Sequence, residues 1–418
     1  MNASPLALLG GEPLISTAGP HFSWPPITEQ DRAAVARQLT EAVSIPDRSG
    51  VVADLEDALT SCLGVRHVIT TCTGTAALHS MYAACGIGPG DEVIVPALTF
   101  HATATPLFHL GARPVLADVD EHGQLDLDDA AHRLTARTKA VIAVHLWGLP
   151  EDMDALTGFA DRHGLLLLED GSHAHGATWN GKPVGSFGAA SAFSLNGPKP
   201  LSAGEGGFVA TDDTDLYYQV LLHGQYNKRC RSEIPAAHPL ARFAVTGMGL
   251  KLRIHPLAAA LALAQLPRLE GYLKGRQAIA ERMLAALEQV PGIGVPQIAA
   301  GARPSWYGLP LRYDPAALGG LPPARFLDAV HAEGATATDR PGSTCPLNTH
   351  PLFQRPGALL PGYADHQGPG ERDFPVAGQV HAGTVKLPVW HRDRDQPLAD
   401  AYTAALAKVA RHHKDLLP

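Results

Sequence analysis

Short aliphatic segments alternate with segments of helical period through the first half of this chain, and that alternation constrains the fold more than any other feature. The run Leu165–Glu169 is the clearest strand candidate, because four leucines precede Glu169 and Asp170. Alternating strands and helices predict βαβ units and a mostly parallel sheet, and continuous apolar runs predict strands covered on both faces. The other predicted strands are His67–Thr71, Glu92–Pro96, Arg113–Asp118 and Ala140–His145, and the helices between them are Ala76–Cys85, Ala102–Leu110 and Met153–His163.

The second half of the chain has a different texture, which predicts a second, smaller domain. Arg253–Glu288 is rich in Ala and Leu and broadly helical, whereas Pro296–Asp314 and Thr384–Pro388 have the composition of strands. Arg340–Pro375 is rich in Pro and Gly and predicts a long loop. The predicted division is a large domain over 1–270, with an N-terminal arm over 1–30, and a smaller α+β domain over 271–418.

The charge balance excludes two classes of partner. The chain has 33 Lys and Arg against 41 Asp and Glu, which gives a formal net charge of −8. This is not the basic footprint that nucleic acids or anionic membranes require. We therefore predict a soluble enzyme with small-molecule substrates, and neither a nucleic acid nor a membrane as partner.

Cysteine is sparse, with five residues and no CxxC pair. An odd, dispersed set predicts neither a disulfide framework nor a zinc ribbon, and it fits a reducing cytoplasm. The apolar stretch Leu6–Leu9 lacks a basic flank and is too short for the core of a signal peptide. No apolar run approaches the ~20 residues of a membrane span. We therefore predict a cytoplasmic protein.

A phosphate-binding turn is predicted at Thr73-Gly74-Thr75-Ala76, between the strand His67–Thr71 and the helix that follows. A helix N-terminus offers free N–H groups and the positive end of the helix dipole. Gly74 also lets a ligand approach the backbone closely. The alternative is an ordinary N-cap, because threonine caps many helices.

Asp170 follows a predicted strand, at the sheet edge where ligands of open α/β sheets bind. A carboxylate there can pair with the pyridinium nitrogen of pyridoxal 5′-phosphate (PLP) and keep that ring able to accept electrons. His173 is close enough in sequence to touch the same ring, and His175 follows it. The alternatives are a capping or solvated Asp170 and a histidine metal pair. Because no third ligand has suitable spacing, we predict no metal site.

Lys199 is the candidate reactive amine. It lies in the glycine- and proline-punctuated run Ser194–Gly207, apart from other basic residues. A Schiff-base lysine must reach an aldehyde, and its pKa must be low enough for the amine to attack and to shuttle protons. Ser194, five residues earlier, is a candidate donor to the phosphate. The alternative is a surface lysine in a turn.

Phe100 ends the run Pro96–Phe100, directly after a predicted strand. An aromatic side chain at that place can stack on a flat cofactor ring. The alternative is an ordinary core phenylalanine.

Taken in order, these segments resemble the DegT/DnrJ/StrS family of PLP-dependent aminotransferases, which act mostly on keto sugars and ketocyclitols. The resemblance spans nearly the whole chain, and the order and spacing of its motifs carry it. It implies PLP fold type I, as in aspartate aminotransferase: a large α/β domain with a mostly parallel mixed sheet flanked by helices, and a smaller α+β C-terminal domain. The matching stretches are Gly88–Pro96, Pro114–Asp120, Thr138–Met153, Glu169–Gly176, Ser194–Gly207, Arg253–Leu269 and, more weakly, Val385–Val389.

The resemblance implies a role for each matching residue. Lys199 is implied as the Schiff-base lysine, Asp170 as the partner of the pyridine nitrogen, and His173 as the residue beside the ring oxygen. Phe100 is implied as the stacking aromatic. The implied phosphate binders are Gly74, Thr75, Ala76 and Ser194.

One motif departs from the family, and it bears on the oligomer. The family shares its active sites across a homodimer, and a Gly-x-Asn-x-Arg motif supplies an Asn from the other subunit to the phosphate. Here the motif reads Gly249-Leu250-Lys251-Leu252-Arg253, so Lys251 replaces the Asn. A lysine can still bind phosphate as a point charge.

The run Asn196-Gly197-Pro198 resembles the branch of 3-amino-5-hydroxybenzoate synthase and scyllo-inosose aminotransferase. That resemblance implies a keto sugar or ketocyclitol acceptor in specialised metabolism, such as antibiotic biosynthesis, and Gln or Glu as amino donor. The implied residues on the substrate side are His223, Arg340 and His350.

Three alternatives to transamination are open at this stage. A relative that uses PLP for dehydration or lyase-like carbanion chemistry carries His in place of the lysine, and Lys199 argues against it. A cofactor-binding regulator needs a DNA-binding module, and no basic helix-turn-helix segment is evident. A Rossmann dehydrogenase is disfavoured because Gly204-Glu205-Gly206-Gly207 is not GxGxxG.

Overall fold

The computed structural model describes residues 4–418, and strands alternate with helices in the first half of the chain. The strands are β1 (His67–Thr71), β2 (Glu92–Pro96), β3 (Leu98–Phe100), β4 (Arg113–Ala117), β5 (Thr138–Val144), β6 (Leu166–Asp170), β7 (Thr178–Trp179), β8 (Lys182–Pro183), β9 (Ala190–Ser194), β10 (Gly207–Thr211), β11 (Ile293–Gly294), β12 (Ala302–Arg303), β13 (Leu309–Tyr313), β14 (Thr344–Pro346) and β15 (Thr384–Leu387). The helices are α1 (Glu29–Leu39), α2 (Gly50–Leu63), α3 (Gly74–Ala84), α4 (Thr105–His109), α5 (Leu127–His132), α6 (Met153–His163), α7 (Thr214–Gly224), α8 (Lys228–Glu233), α9 (Pro256–Gln265), α10 (Leu269–Leu287), α11 (Pro323–Ala332), α12 (Pro351–Gln354), α13 (Pro375–Gly383) and α14 (Gln396–Arg411).

The central sheet has seven strands in the order β1-β10-β9-β6-β5-β2-β4. The strands from β9 to β4 are parallel to one another, whereas β10 runs antiparallel to both β9 and β1. The predicted mostly parallel mixed sheet is thus confirmed, and all five strands predicted from aliphatic runs belong to it. The sequence did not indicate β9 or β10, because Ala, Ser and Gly make them less aliphatic than their neighbours.

Both faces of this sheet are covered, which explains the continuous apolar runs. Val93 and Val95 of β2 pack in the core that also contains Met81 of α3. Ile94, between them, packs on the opposite face in the core that contains Phe159 of α6. Successive side chains of a strand point to opposite faces, so a strand between two helical layers needs an apolar residue at every position.

One edge of the sheet gathers the ends of several strands. The parallel strands β6 and β9 end there with Asp170 and Ser194, and β10 begins there with Gly207. β1 ends at the same edge, and α3 starts three residues after it. The N-terminus of α3 therefore lies next to the last residues of the central strands.

A second core lies in the C-terminal part of the chain. The antiparallel sheet β11-β13-β15 packs with α10, α11 and α14 there. Leu6 and Ile15 are buried in this same core, although the sequence assigned 1–30 to an arm of the large domain. Residues 1–3 of that arm lie outside the described residues. The division near residue 270 stays a prediction.

Two sequence predictions for the C-terminal half were wrong in detail. Arg340–Pro375 is not a bare loop, because it contains β14 and α12, and Phe353 packs in the core beneath the central sheet. Pairing of Cys345 with Thr99 joins β14 to β3. Within the predicted strand Pro296–Asp314, only β12 and β13 are extended. Short strands and single helical turns leave too little periodicity to be recognised in a Pro- and Gly-rich stretch.

Two features bear on the environment of the protein. All five cysteines are free thiols. Among residues 4–418, none of the helices combines the length and the apolar character that crossing a membrane requires.

Candidate active site

Asp170 lies at the carboxyl end of the central strand β6 and is 6% exposed. One carboxylate oxygen, Oδ2, accepts a hydrogen bond of 2.8 Å from Thr103 Oγ1. The other, Oδ1, accepts one of 3.1 Å from the Ser172 backbone N–H. Thr103 Oγ1 is in turn 3.0 Å from Thr99 Oγ1. These contacts fix the orientation of the carboxylate, and among residues 4–418 no basic side chain forms a salt bridge with it, so it can meet a protonated ring nitrogen.

Lys199 lies in the loop between β9 and β10, at the same edge of the sheet. Its Nζ lies 4.8 Å from the centroid of the Tyr307 ring. Burial lowers the pKa of Lys199 to about 8, and the nearby Asp170 carboxylate acts in the opposite direction. A substantial fraction of the amine is therefore neutral near pH 8, as a nucleophile and proton carrier requires.

Three stacked rings form the wall beside Lys199. His173 stacks on Tyr307 with centroids 4.1 Å apart and planes 6° apart. The Trp147 ring is nearly parallel to both, with its centroid 5.8 Å from that of His173 and 6.2 Å from that of Tyr307. Burial, with a smaller contribution from the Lys199 charge, holds the pKa of His173 well below its usual range. The imidazole is therefore neutral. Since its Nδ1 accepts a hydrogen bond of 3.3 Å from the backbone N–H of Trp147, its Nε2 carries the proton.

A strained turn sets the position of Trp147. Its φ of +59° is rare for a bulky residue. The turn is held from the C-terminal half of the chain, since Ser305 N–H donates to the Gly148 carbonyl at 3.0 Å. At Gly148 itself a Cβ would lie 2.4 Å from Ser305 Oγ and 2.9 Å from the His173 carbonyl oxygen, so only glycine fits. The strain therefore accompanies the close approach that aligns Trp147 with His173.

The N-terminus of α3 supplies an anion-binding corner. Thr73 caps the helix by accepting from the Ala76 N–H at 3.0 Å. The N–H groups of Gly74 and Thr75 have no acceptor among residues 4–418. A Cβ on Gly74 would lie 2.6 Å from the Ser194 Cβ, so glycine is what allows the serine hydroxyl to lie beside this terminus. A phosphate at this corner meets two free N–H groups and one hydroxyl.

Two further predicted residues lie at the rim of this region. Phe100 ends β3, is 38% exposed, and lies 4.3 Å from His101 between ring centroids. His350 follows β14, which pairs with β3, and its Nε2 is 3.1 Å from Cys345 Sγ. Burial and then the neighbouring His350 lower the pKa of His101. The predicted stacking residue and one predicted substrate residue thus occupy neighbouring elements.

Other predicted residues are not brought into contact with Lys199. His223 is buried between His79, at 3.4 Å, and Met248 Sδ, at 3.4 Å, and burial lowers its pKa to about 4. Arg340 donates to the Ala382 carbonyl oxygen at 3.1 Å. Lys251 is exposed on the segment after α8. Among residues 4–418 the contacts of these three side chains are therefore with residues other than Lys199, and their roles toward substrate and cofactor stay predictions.

The histidine pair considered in the sequence divides between two environments. Whereas His173 stacks on Tyr307, His175 packs against Phe193 with centroids 5.2 Å apart. Among residues 4–418 no group of three or more His, Cys, Asp and Glu side chains has the geometry of a metal site. The two histidines therefore have different ring neighbours, although they are close in sequence.

Four contributors to the site escaped the sequence analysis: Trp24, Thr103, Trp147 and Tyr307. Trp147 lies within the matching stretch Thr138–Met153, which is the one signal that pointed toward it. Trp24 and Tyr307 come from segments that are remote in sequence from Lys199. Nothing in their local pattern indicates that they meet it.

The donor set fits PLP. The cofactor carries a phosphate, an aldehyde and a pyridine nitrogen. The chain offers one group for each: the free N–H groups at Gly74 and Thr75, the amine of Lys199, and the carboxylate of Asp170. These groups lie at one edge of one sheet, so a single molecule can engage all three.

Comparison with known proteins points to the same family as the sequence motifs. The model of the DegT/DnrJ/EryC1/StrS aminotransferase family matches residues 27–401. The spore coat polysaccharide biosynthesis protein SpsC of Bacillus subtilis (strain 168) is 35% identical over 84% of this chain and 88% of its own length. The L-glutamine:2-deoxy-scyllo-inosose aminotransferase of Streptomyces fradiae is 34% identical over 99% of each chain.

A solved structure has the same fold over nearly the whole chain. The crystal structure of 3-amino-5-hydroxybenzoic acid synthase superposes with a TM-score of 0.78 and 27% identity, covering 93% of this chain and 98% of that one. The predicted fold type I is thereby confirmed. With the family model matching most of its length, this chain belongs to the DegT/DnrJ/EryC1/StrS aminotransferase family.

Proposed function

We propose that this enzyme moves an amino group from L-glutamine, or from L-glutamate, to the keto group of a cyclitol or sugar, with PLP as its cofactor. The observation that carries the proposal is the meeting of a Lys199 amine of lowered pKa with the Asp170 carboxylate at one sheet edge. The similarity to an inosose aminotransferase over 99% of both chains supports a cyclitol acceptor. The similarity to SpsC keeps a keto sugar as the competing acceptor.

Each group of residues would hold a different part of the cofactor. When bound, PLP supplies an electrophilic aldehyde carbon and an electron-withdrawing pyridine ring. Gly74, Thr75 and Ser194 would hold its phosphate, Asp170 its ring nitrogen, and Phe100 a ring face. The N–H of Ala76, also predicted to bind the phosphate, already donates to Thr73.

The proton transfers fall to Lys199. Its neutral amine accepts the proton from the donor Cα and later delivers a proton to the acceptor carbon. His173 stays neutral and offers its Nε2–H to an oxygen, since Nδ1 is already engaged by the Trp147 N–H. Asp170 stabilises the negative charge that develops during these transfers by keeping the ring nitrogen protonated.

A shared homodimeric site is part of the proposal. We define the apolar strip as Phe243, Val245, Met248 and Leu250, which are 44%, 58%, 61% and 38% exposed. Four exposed apolar side chains within residues 243–250 mark an interaction surface. The strip adjoins the phosphate corner, because Leu252 accepts from the Cys72 N–H at 2.7 Å. A second copy of the chain, with Lys251 directed at its neighbour's phosphate corner, is the occupant we propose.

The proposal extends to the cellular compartment and to the kind of metabolism. The free cysteines support a reducing cytoplasm. An aminocyclitol or amino sugar product supports a role in specialised metabolism, including antibiotic biosynthesis.

The test is spectroscopic. Purified protein reconstituted with PLP is mixed with L-glutamine, then separately with L-glutamate, while the visible band of the bound cofactor and the 2-oxo product are followed. We expect loss of the band with formation of one equivalent of 2-oxo acid, and return of the band when scyllo-inosose is added. A keto sugar that restores the band while scyllo-inosose does not would move the acceptor to the sugar class. Formation of no 2-oxo acid with either donor would indicate non-transaminating chemistry.

A further inference from the structure

Trp24 belongs to the segment before α1, yet its side chain reaches the loop that carries Lys199. The indole Nε1–H donates a hydrogen bond of 2.7 Å to the Lys199 carbonyl oxygen. We propose that Trp24 is a positioning residue, which holds the Lys199 backbone so that the amine stays over the Tyr307 ring. This inference rests on the proposed role of Lys199 as the reacting amine.

The backbone of Lys199 is held both by its own loop and from outside it. Pro198 and Pro200 flank the lysine and have no backbone N–H to donate. Within the loop, the Lys199 N–H donates to the Asn196 carbonyl oxygen at 2.9 Å, and the Gly197 N–H to that of Gly204 at 2.9 Å. The Lys199 carbonyl oxygen receives its bond from the Trp24 indole.

Trp24 is itself held by residues of the C-terminal half. The rings of Tyr272 and His391 meet it edge to face, with centroids 5.2 Å and 5.3 Å away. The guanidinium carbon of Arg276 lies 4.1 Å from the centroid of the indole ring. Tryptophan is the best partner for such a cation–π contact, which gives a reason for this residue type at position 24.

Arg276 connects Trp24 with the segment that carries Tyr307. Arg276 donates to the Trp306 carbonyl oxygen at 2.9 Å, and the next residue is Tyr307. Tyr307 lies under the Lys199 amine, while Trp24, on the other side of Arg276, holds the Lys199 carbonyl. Both ends of the lysine residue are therefore positioned by the same unit, so a shift of the backbone relative to Tyr307 requires breaking one of these contacts.

Arg276 is a buried cation that depends on its contact with Trp24. Its side chain is 1% exposed, and no carboxylate forms a salt bridge with it among residues 4–418. Burial lowers its pKa to about 9. A buried cation without an anion is costly, so the indole face and the Trp306 carbonyl are the groups that compensate it.

Loss of the Trp24 contact has a specific consequence for the amine. The groups that face Lys199 are the Asp170 carboxylate, the neutral His173 and His175, and the Tyr307 ring. Because burial is the main cause of its lowered pKa, a loop that opens to water lets that pKa rise.

The experiment compares Trp24→Phe with a matched control, Trp390→Phe. Trp390 Nε1 donates to the His21 carbonyl oxygen at 2.8 Å, so the control also removes one indole N–H bond at the N-terminal segment, but not the bond to Lys199. In the full chain without PLP, the pH dependence of Lys199 reductive methylation is measured by mass spectrometry. Hydrogen exchange of 196–205 is followed in the same samples.

We expect Trp24→Phe to raise the midpoint of Lys199 modification by about one pH unit and to speed exchange of the loop, with Trp390→Phe unchanged. After reconstitution, kcat at pH 7 falls about tenfold while the KM of the donor is unchanged. Arg276→Lys, which weakens the same contact from the other side of the indole, shifts the midpoint in the same direction. An unchanged midpoint in both Trp24→Phe and Arg276→Lys, or equal shifts in Trp24→Phe and the control, would overturn the proposal. Because the first measurements need no cofactor, failure of the chain to bind PLP refutes the proposed function separately.

Discussion

Lys199 and Lys251 both lie in glycine-containing segments near the phosphate corner, yet their surroundings are opposite. Lys199 is half-buried over Tyr307, between a carboxylate and neutral imidazoles, and its pKa is lowered to about 8 by burial. Lys251 is exposed beside an apolar strip that nothing in the same chain covers within residues 4–418. Within one chain, Lys199 therefore has its neighbouring groups in place, whereas the proposed role of Lys251 requires a second copy of the chain.

Replacing the two lysines in turn gives the largest contrast. Lys199→Ala is expected to lower kcat by about 1,000-fold or more, because both the nucleophile and the proton carrier are lost. Lys251→Ala should weaken PLP binding and leave kcat at saturating PLP within about tenfold of the wild type. Steady-state kinetics across a PLP titration separate the two effects. Equal losses of kcat would remove the distinction between the lysines.

Asp170→Asn tests how much the reaction depends on the contact between this carboxylate and the ring nitrogen of the cofactor. The amide cannot stabilise a protonated ring, so kcat should fall about 100-fold while PLP still binds. Thr103→Val, which removes the 2.8 Å hydrogen bond to Asp170 Oδ2 and keeps the side-chain volume, is the matched control with a smaller loss. Stopped-flow measurement of the donor half-reaction checks both variants. A wild-type rate in Asp170→Asn would exclude this role for the carboxylate.

Mixing the two lysine variants tests whether the site is shared. If Lys251 acts on the neighbouring subunit, a Lys199→Ala/Lys251→Ala hybrid contains one site with neither substitution, and a randomly exchanged mixture recovers about a quarter of wild-type activity. If Lys251 acts within its own subunit, mixing recovers nothing beyond the residual Lys251→Ala rate. The readout is activity after dissociation and reassembly at a PLP concentration too low to saturate Lys251→Ala, with the oligomeric state followed by light scattering. Met248→Glu in the strip should shift the protein toward monomer and lower the recovery.

The pH dependence of PLP capture sharpens the contrast in pKa. Capture requires the neutral amine, so its rate should rise about tenfold per pH unit below the Lys199 pKa and level off above it. With that pKa at about 8, the levelling occurs near pH 8 rather than above pH 10. Stopped-flow absorbance of cofactor-free protein mixed with PLP provides the profile. A rate that still rises between pH 9 and 10 would show that the amine is not shielded from water.

The sequence predicted the large-domain sheet because each buried strand carries its own apolar signal. Leu166–Asp170 and His67–Thr71 are recognised from a few adjacent residues, and the positions of Asp170 and Gly74 follow from where those strands end, whereas Lys199 follows β9, which the sequence did not indicate. Parallel strands end at one edge, so residues that follow them come together without further information.

Other parts of the site left no local signal. Tyr307 and Trp24 reach Lys199 from segments that lie 108 and 175 positions away, and Arg276 joins them from a third. The family resemblance implied His223 as a substrate residue, yet it is buried against His79 because α7 packs on α3.

The amino-acid sequence by itself predicted the fold type and the cofactor, because motifs in a fixed order resemble one family, and it singled out Lys199 as the candidate reacting amine. Only the tertiary structure decided what surrounds that lysine. The N-terminal segment packs with the C-terminal core and brings Trp24 to the Lys199 carbonyl, while the strained turn at Trp147 aligns the rings beside the amine. These contacts depend on how distant segments meet in three dimensions, and their energetic basis, burial of the amine and of Arg276, exists only once the chain has folded.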